Sequence, residues 1–236
     1  MKHGVLYLIP SLLSDQAVGE VLPEGTLRII RDLEYFIVEE LKTARRFLRK
    51  AGYTRNFTEV TFYLFNEHSP LPSFEEYLGI THEGKDIGLL SEAGCPCVAD
   101  PGSGIVRLAH EHGVVVKPLT GPSSILLSLM ASGFNGQNFA FLGYLPVDKQ
   151  NLIRRLKEIE KTAGDKKQTQ IFIETPYRNE QLLQAILQTC NAHTMLGLGI
   201  GLTGTAEKIA VYSVGDWRKM RFSPGKTPAV FLLFRY

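Results

Sequence analysis

The chain has 236 residues, of which 44% are hydrophobic and 21% are charged, with a mean hydropathy of -0.02. This composition is typical of a soluble globular protein and excludes a disordered chain, a collagen and a coiled coil, while a net charge of only +2 argues against a protein that coats nucleic acid through bulk charge. No window approaches the roughly 20 apolar residues that a membrane span needs, so we expect no membrane partner.

The first half of the chain alternates apolar runs of strand length with segments of helical period, which predicts a parallel sheet. The run that begins at Val5 ends at Pro10 with no cleavage-site pattern after it, so we interpret it as a strand and not as a signal peptide. The expected strands are 5–9, 35–38, 60–65, 87–90 and 114–116, and the expected helices lie around 27–33, 41–48, 74–78 and 105–109.

The same pattern restarts after a glycine-containing hinge at residues 133–136. The expected elements are helix 125–131, strand 139–142, helix 152–159, strand 170–173, helix 180–187 and the strands 210–214 and 229–234. The sequence therefore predicts an α/β protein with an N-terminal α/β domain over residues 1–118, a connecting loop and helix over 119–137, and a C-terminal α/β domain over 138–236.

Two loops in the first half favour a ligand site. Residues 89–104 leave a buried strand and contain three glycines and two prolines, which fix an unusual backbone path and let a ligand approach the main chain. In an open α/β sheet such a loop lies where ligands bind, although a purely structural turn is the alternative. Residues 120–124 (TGPSS) offer an N-cap hydroxyl and free N–H groups at a helix start, which capping alone would also explain.

Other patterns point away from common cofactors. Residues 199–204 satisfy G-x-G-x-x-G, but no amphipathic helix opens there, which argues against a dinucleotide site. Residues 95–97 (CPC) and 110–112 (HEH) lack the spacing of metal ligands, so we expect no metal. Three cysteines without a secretory signal imply a reducing compartment, and the expected location is cytoplasmic.

Charge is divided unevenly along the chain. Residues up to Pro118 hold 12 basic and 16 acidic side chains, a net charge of −4, whereas the remainder hold 14 and 8, a net charge of +6. An anionic partner for the second half is favoured by a basic group comprising Arg154, Arg155, Lys157, Lys161, Lys166 and Lys167. Because Glu158 and Glu160 lie on the same predicted helix, an ordinary solvated face is the alternative.

Two pairs of charged segments follow predicted strands. Glu174 and Arg178 come directly after a buried strand of the second half, and Glu39-Glu40 and Arg45-Arg46 follow the second strand of the first half. A spacing of about four residues also permits simple pairing on a helical turn, so a local structural role competes with a functional one.

Five motifs in a fixed order give the chain its resemblance to a known family. They are SEAGCPCVADPG at 91–102, LTGPSS at 119–124, ASG at 131–133, FLGYLP at 141–146 and FIETPYR at 172–178. Through them the sequence resembles the tetrapyrrole methylase superfamily of S-adenosylmethionine-dependent methyltransferases, and within it the ribosomal RNA small subunit methyltransferase I type. The resemblance covers almost the whole chain.

The resemblance implies two α/β domains of the tetrapyrrole methylase type with S-adenosylmethionine in a cleft between them, no metal, and a homodimer. Carried over position by position, it implies cofactor contacts at Pro10, Glu92, Ala93, Gly94, Pro96, Val98, Ser123, Ser124, Phe172, Leu202, Thr227, Pro228 and Ala229.

The chain departs from the family pattern at three segments. Residues 9–14 are IPSLLS in place of P-T-P-I-G-N, and residues 39–42 are EELK in place of E-D-T-R. Residues 199–203 are GIGLT in place of A-R-E-L-T, so the arginine and the glutamate of that segment are missing. The sequence also stops at Tyr236, without the short C-terminal extension of the pattern.

Methyl transfer from a sulfonium requires an in-line attack, to which a protein contributes mainly by holding the acceptor at near-attack distance in a dry site. A ribose hydroxyl has a very high pKa, so a carboxylate is the natural acceptor for its proton. The candidates are Glu174 and Glu40, with Arg45 and Arg178 positioning them or a phosphate. Of the two glutamates, Glu174 lies in the motif that matches the family pattern more closely.

The resemblance thus implies 2′-O-methylation of ribose in ribosomal RNA of the small subunit. The altered segments leave two alternatives open. One is a methyltransferase of another acceptor, such as a tetrapyrrole or a small molecule, and the other is a non-catalytic module that binds S-adenosylmethionine.

Overall fold

The computed structural model describes residues 3–236, so the first two residues of the predicted N-terminal domain lie outside the described residues. The chain divides into two compact units, Met1–Ser123 and Ser124–Tyr236. Each unit is built on one five-stranded sheet. No helix within residues 3–236 has the length and apolar character needed to cross a membrane.

The sheet of the first unit is entirely parallel, as the alternating pattern predicted. Its strands are β1 (Val5–Ile9), β2 (Tyr35–Val38), β3 (Thr61–Leu64), β4 (Ile87–Leu90) and β5 (Val115–Pro118), in the spatial order β3-β2-β4-β1-β5. The register places β1 between β4 and β5, and it places β2 between β3 and β4.

Helices cover both faces of this first sheet. Successive side chains of a strand point to opposite faces, so Phe36 and Val38 enter one apolar core while Ile37 enters the other. A parallel sheet needs such cover on both sides. The helices are α1 (Val18–Val21), α2 (Glu24–Asp32), α3 (Leu41–Lys50), α4 (Phe74–Tyr77) and α5 (Ser103–Glu111).

The second unit has a mixed sheet. Its strands are β6 (Phe139–Tyr144), β7 (Thr169–Glu174), β8 (Met195–Ile200), β9 (Lys208–Ser213) and β10 (Ala229–Phe234), in the order β6-β7-β10-β8-β9. Strands β6 and β7 are parallel, whereas β10 is antiparallel to both β7 and β8, and β9 is antiparallel to β8.

The helices of the second unit are α6 (Ser124–Ser132), α7 (Lys149–Asp165), α8 (Asn179–Thr189) and α9 (Val214–Trp217). On one face of the sheet, Phe172 and Phe231 stack with their centroids 5.9 Å apart. On the other face, Leu129 of α6 packs against Ile171 and Val230. Both faces are therefore buried here as well.

Strand β8 was not expected from the sequence, and the reason is its glycines. Gly197 and Gly199 lower strand propensity, so the segment lacks a strand pattern. A Cβ at Gly199 would lie 2.3 Å from Oγ of Ser128. The glycine is therefore needed for α6 to pack closely on the sheet.

The predicted strand 210–214 was wrong at its end. The strand stops at Ser213, whose Oγ accepts a hydrogen bond from the Asp216 N–H at 3.0 Å. This cap starts helix α9 at Val214. A residue at a helix cap leaves the extended run, which an apolar pattern alone does not reveal.

Candidate functional site

Three loops leave the carboxyl edge of the first sheet. Because β4, β1 and β5 are parallel neighbours, the loops that follow them, residues 91–102, 10–16 and 119–123, start side by side. In an open α/β sheet this edge is where ligands bind. The two loops that the sequence singled out, at 89–104 and 120–124, include residues 91–102 and most of 119–123, and are thus neighbours of the loop after β1.

Close main-chain approaches join these loops. The Ser11 N–H donates to the Gly94 carbonyl at 2.9 Å. A Cβ at Gly121 would lie 2.2 Å from Cγ of Pro10, so only glycine permits the approach of loop 119–123 to the loop after β1.

The loop 91–102 has an unusual backbone. Gly94, Cys97 and Ala99 have φ angles of +72°, +66° and +57°, a region that residues with a Cβ rarely adopt. Oδ1 of Asp100 accepts hydrogen bonds from the N–H groups of Cys97 at 3.2 Å and Gly102 at 2.7 Å. The Asp100 carboxylate therefore holds the strained part of the loop.

Glu39, directly after β2, lies beside this loop. It lines a small cavity together with Asp100 and Gly102. Burial raises the pKa of Glu39 to about 7, and the negative charges of Asp100 and Glu92 add to the shift. Near neutral pH the Glu39 carboxyl group is therefore protonated for part of the time.

Sequence reasoning did not select Glu39 or Asp100 as site residues. Glu39 entered only as the neighbour of Glu40, and Asp100 only as part of a motif. The available signal was the position of Glu39, one residue after a buried strand at the ligand-binding edge.

The predicted cofactor residues of the first unit divide by exposure. Glu92, Ala93 and Val98 are exposed, whereas Pro10, Gly94 and Pro96 are buried and shape the backbone. Oε1 of Glu92 accepts a hydrogen bond from Oγ1 of Thr43 at 2.7 Å, which ties the loop to helix α3. Ser123 ends the first unit, and Ser124 is the first residue of α6 in the second.

Glu40 and Arg45 are not paired with each other. The carboxylate of Glu40 caps α3 by accepting hydrogen bonds from the N–H groups of Lys42 at 2.8 Å and Thr43 at 2.7 Å, which lowers the pKa of Glu40. The guanidinium of Arg45 lies 5.4 Å from the centroid of the Phe62 ring. Each side chain thus has a structural partner of its own.

Glu174 and Arg178 do pair, at the carboxyl end of β7. Oε2 of Glu174 lies 2.9 Å from Nη2 of Arg178, and their side chains are 2% and 25% exposed. Within residues 3–236, the buried atoms Glu174 Oε2, Arg178 Nε and Asn179 Oδ1 have no hydrogen-bond partner, so Glu174 and Arg178 form a close ion pair without hydrogen-bond geometry. A buried polar atom without a partner is uncommon and is a reason to consider a ligand here.

The neighbouring strand ends complete a polar cluster in the second unit. Ala229, at the start of β10, pairs with Glu174 on one side and with Ile200 on the other. The Gly201 N–H donates to the Pro228 carbonyl at 2.9 Å. The amide of Asn179 likewise donates to the Thr227 carbonyl, at 2.7 Å. Thr227, Pro228 and Ala229 therefore lie beside the Glu174–Arg178 pair.

Two predicted cofactor residues of this unit have buried side chains. Phe172 belongs to the core through its stacking on Phe231, and Leu202 is buried as well. A ligand contact by Phe172 would have to come from its backbone.

The segment that lacks the family's arginine and glutamate has a backbone that favours glycine. Ile200 is buried, and Gly201 has a φ of +56°, with an added Cβ 3.1 Å from Cγ2 of Thr227. Thr203 also has a positive φ, +63°, which is rare for a β-branched residue and was not foreseen from the sequence. Its N–H donates to Oε2 of Glu207 at 2.7 Å.

The glycine pattern at residues 199–204 is the end of β8 and a turn, and the element that follows directly is strand β9, not the helix that a dinucleotide site needs. The structure therefore agrees with the argument against a dinucleotide site. Among residues 3–236, no group of three or more His, Cys, Asp or Glu side chains could hold a metal ion. Burial raises the pKa of the Cys97 thiol to about 11, so it is not a thiolate nucleophile near neutral pH.

Curated relatives share one name. Proteins named "Ribosomal RNA small subunit methyltransferase I" align from Mesorhizobium japonicum (30% identity, 86% of this chain, 65% of that protein) and from Thermotoga maritima (30%, 69% and 68%). The relative from Leptospira biflexa is 29% identical over 98% of this chain and 91% of its own length. The chain thus spans just under two thirds of the Mesorhizobium relative. No family model matches the chain.

Solved structures show the same fold. The methyltransferase CobJ has a TM-score of 0.62 at 14% identity, covering 99% of this chain and all of that one. Uroporphyrin III C-methyl transferase from Thermus thermophilus has a TM-score of 0.57 at 15% identity, covering 98% and 97%. With its fold that of the tetrapyrrole methylases and its sequence aligned to these relatives, the chain belongs to the ribosomal RNA small subunit methyltransferase I family.

Proposed function

We propose that the chain transfers a methyl group from S-adenosylmethionine to a ribose 2′-hydroxyl of small-subunit ribosomal RNA. The observation that carries this proposal is the alignment with proteins of that name across most of the chain. The net charge of +6 on the second unit, from 14 basic and 8 acidic side chains, also favours an RNA substrate.

The loops of the first unit fit an adenosyl group. Gly94 presents a left-handed backbone at the meeting point of two loops, and an added Cβ would lie 3.1 Å from Cδ2 of Leu13. Glu92, Ala93 and Val98 are exposed beside it and would contact the cofactor. When bound, S-adenosylmethionine supplies the methyl group as a sulfonium. The loops would hold it in one orientation, which is what a near-attack geometry requires.

Within the second unit, Glu174 is our candidate to accept the proton of the ribose hydroxyl. Its side chain is nearly buried, its Oε1 accepts a hydrogen bond from the Thr175 N–H at 2.7 Å, and its Oε2 lies 2.9 Å from Nη2 of Arg178. Glu40 is the weaker candidate because both of its oxygens accept backbone hydrogen bonds as a helix cap. Phe172, Leu202, Thr227, Pro228 and Ala229 remain proposed cofactor contacts, and Ser123 and Ser124 do as well.

Labelled methyl transfer from S-adenosylmethionine to small-subunit RNA, and to intact small subunits, tests the proposal. We expect transfer to a single ribose, with a loss of at least a hundredfold in kcat for Glu174→Gln. Glu180→Gln, which removes an exposed carboxylate six residues away, is the matched control and is expected to retain activity. Cofactor binding without transfer to any RNA would contradict the proposal and favour the non-catalytic alternative.

We also propose that the chain forms a homodimer and acts in the cytoplasm, where its RNA substrate would be found. The edge strand β6 carries Phe139 and Tyr144, 40% and 57% exposed, as apolar surface that a second copy would cover. Sedimentation at micromolar concentration is expected to give twice the mass of the chain. A monomer at that concentration would contradict the dimer.

A further inference from the structure

Helix α7 carries three basic side chains on one side. Arg154, Lys157 and Lys161 are exposed, and their spacing of three and four residues places them in line along the helix. Within residues 3–236, none of the three forms an ion pair with a carboxylate; Arg154 donates only to Oδ1 of Asn151, at 2.8 Å.

The two glutamates in the middle of α7 interact with residues other than Arg154, Lys157 and Lys161. Oε2 of Glu158 pairs with Arg155 at 3.2 Å. Oε1 of Glu160 accepts a hydrogen bond from the Asn191 N–H at 2.6 Å and a second from Oγ1 of Thr194. Neither carboxylate therefore cancels the charges of Arg154, Lys157 and Lys161, which weakens the alternative of an ordinary mixed-charge face.

The turn after α7 adds two lysines in a fixed backbone. Lys167 has a φ of +48°, and its carbonyl accepts a hydrogen bond from Nδ2 of Asn135 at 2.8 Å. The Lys166 carbonyl accepts one from Nδ2 of Asn138, also at 2.8 Å. Both side chains are exposed, so the turn presents two ammonium groups from a held main chain.

One more cation lies at the same end of the helix. The side chain of Arg235 runs beside Gly164, with its Cδ 3.5 Å from where a Cβ would be. Asp165, next to Lys166 in the sequence, is an exposed acidic residue at this end of the helix. We call the following set the α7 basic strip: Arg154, Lys157, Lys161, Lys166, Lys167 and Arg235.

We propose that the α7 basic strip binds the phosphate backbone of the RNA substrate, an inference that rests on the proposed function. From residue 154 to residue 167 the strip is about 20 Å long at a rise of 1.5 Å per residue. A length of that order suits a chain of phosphates and exceeds what a single small anion needs. Contacts of this kind supply affinity and register without reading bases.

The test compares two double variants that remove the same charge from the same unit. Lys157→Gln with Lys161→Gln changes the strip, and Lys208→Gln with Arg221→Gln is the control outside it. Affinity for small-subunit RNA is measured with S-adenosylhomocysteine present, over a series of salt concentrations. All four residues are exposed, so both variants are expected to keep the melting temperature of the wild type.

We expect the strip variant to bind RNA at least tenfold more weakly near 0.1 M salt, with a salt slope shallower by about 1.5, and the control to stay within about twofold. In methyl transfer we expect the strip variant to raise KM and to leave kcat unchanged.

Equal losses of RNA affinity in both variants, or no loss of affinity in either, would contradict RNA binding by the strip. If the wild type binds RNA through the strip but methylates no RNA, the proposed function is wrong while RNA binding by the strip is confirmed. A wild type that binds no RNA overturns both.

Discussion

Two adjacent carboxyl groups at the edge of the first sheet have opposite environments. Burial and neighbouring negative charge raise the pKa of Glu39 to about 7, whereas backbone hydrogen bonds from Lys42 and Thr43 lower the pKa of Glu40. Because Glu39 lies beside Asp100, and the charges of Asp100 and Glu92 act on its pKa, its protonation depends on the loop 91–102. The same loop contains our candidate cofactor contacts.

This coupling predicts a pH dependence of folding. The folded pKa of Glu39 lies above its ordinary value of 4.5, so its contribution is complete below about pH 4.5 and is lost as pH rises through about 7. Relative to Glu39→Gln, the free energy of unfolding of the wild type should fall by about 1 kcal/mol between pH 5 and pH 8, after allowance for solvent screening. Urea unfolding of the wild type and of Glu39→Gln at the two pH values measures this difference in the free energy of unfolding.

Glu40→Gln is the matched control. The pKa of Glu40 is lowered, so Glu40 is ionised throughout this range and its loss should change stability equally at both pH values. An identical pH response of wild type and Glu39→Gln would show that Glu39 does not titrate between pH 5 and pH 8.

Gly121 is a second residue with a sharp expectation. Gly121→Ala would place a Cβ 2.2 Å from Cγ of Pro10, so we expect it to destabilise the fold by about 2 kcal/mol, as overpacking does. Gly136→Ala, with nothing within 4 Å of its added Cβ, should change stability by less than about 0.5 kcal/mol. Thermal unfolding of the two variants decides; similar stabilities would mean that loop 119–123 does not approach Pro10 so closely.

At the scale of elements, helix α7 depends on its first turn. Oδ1 of Asp148 accepts a hydrogen bond from the Asn151 N–H at 2.9 Å. Asp148→Ala should therefore cost about 1 kcal/mol in denaturant unfolding, and Asp148→Ser, which keeps an oxygen at the cap, should cost less. Equal losses in the two variants would exclude the capping role.

The elements show which patterns a sequence reveals. The parallel strands of the first unit were predictable because a strand buried on both faces is a continuous apolar run, as in Ile87–Leu90. Strand β8 was not, because Gly199 serves the packing against Ser128 of α6, a contact between distant segments. Helix α7 (Lys149–Asp165) extends beyond the predicted range of 152–159 at both ends. The added residues are mostly polar and show no helical periodicity of apolar residues, so the pattern did not include them.

The candidate site was predictable to a similar extent. The loop 91–102 was identified from its glycines and prolines, and the Glu174–Arg178 pair from its spacing. The Glu39–Asp100 contact was not, because the two residues are 61 positions apart and meet only through the pairing of β2 with β4. The positive φ of Gly201, a conformation that favours glycine over glutamate, was likewise not visible from the sequence.

At the scale of the whole molecule, the account depends on the first-unit loops as the adenosyl-binding surface. Titration calorimetry with S-adenosylhomocysteine tests this directly, on the wild type, on Ala93→Trp in the loop 91–102, and on His110→Trp near the far end of α5. Both positions are exposed, so neither tryptophan disturbs a core.

We expect a micromolar dissociation constant for the wild type and for His110→Trp, and a loss of at least a hundredfold for Ala93→Trp, because the indole would fill the space of the ligand. Equal affinity in all three proteins would contradict the account, since the cofactor would then bind away from the loop 91–102.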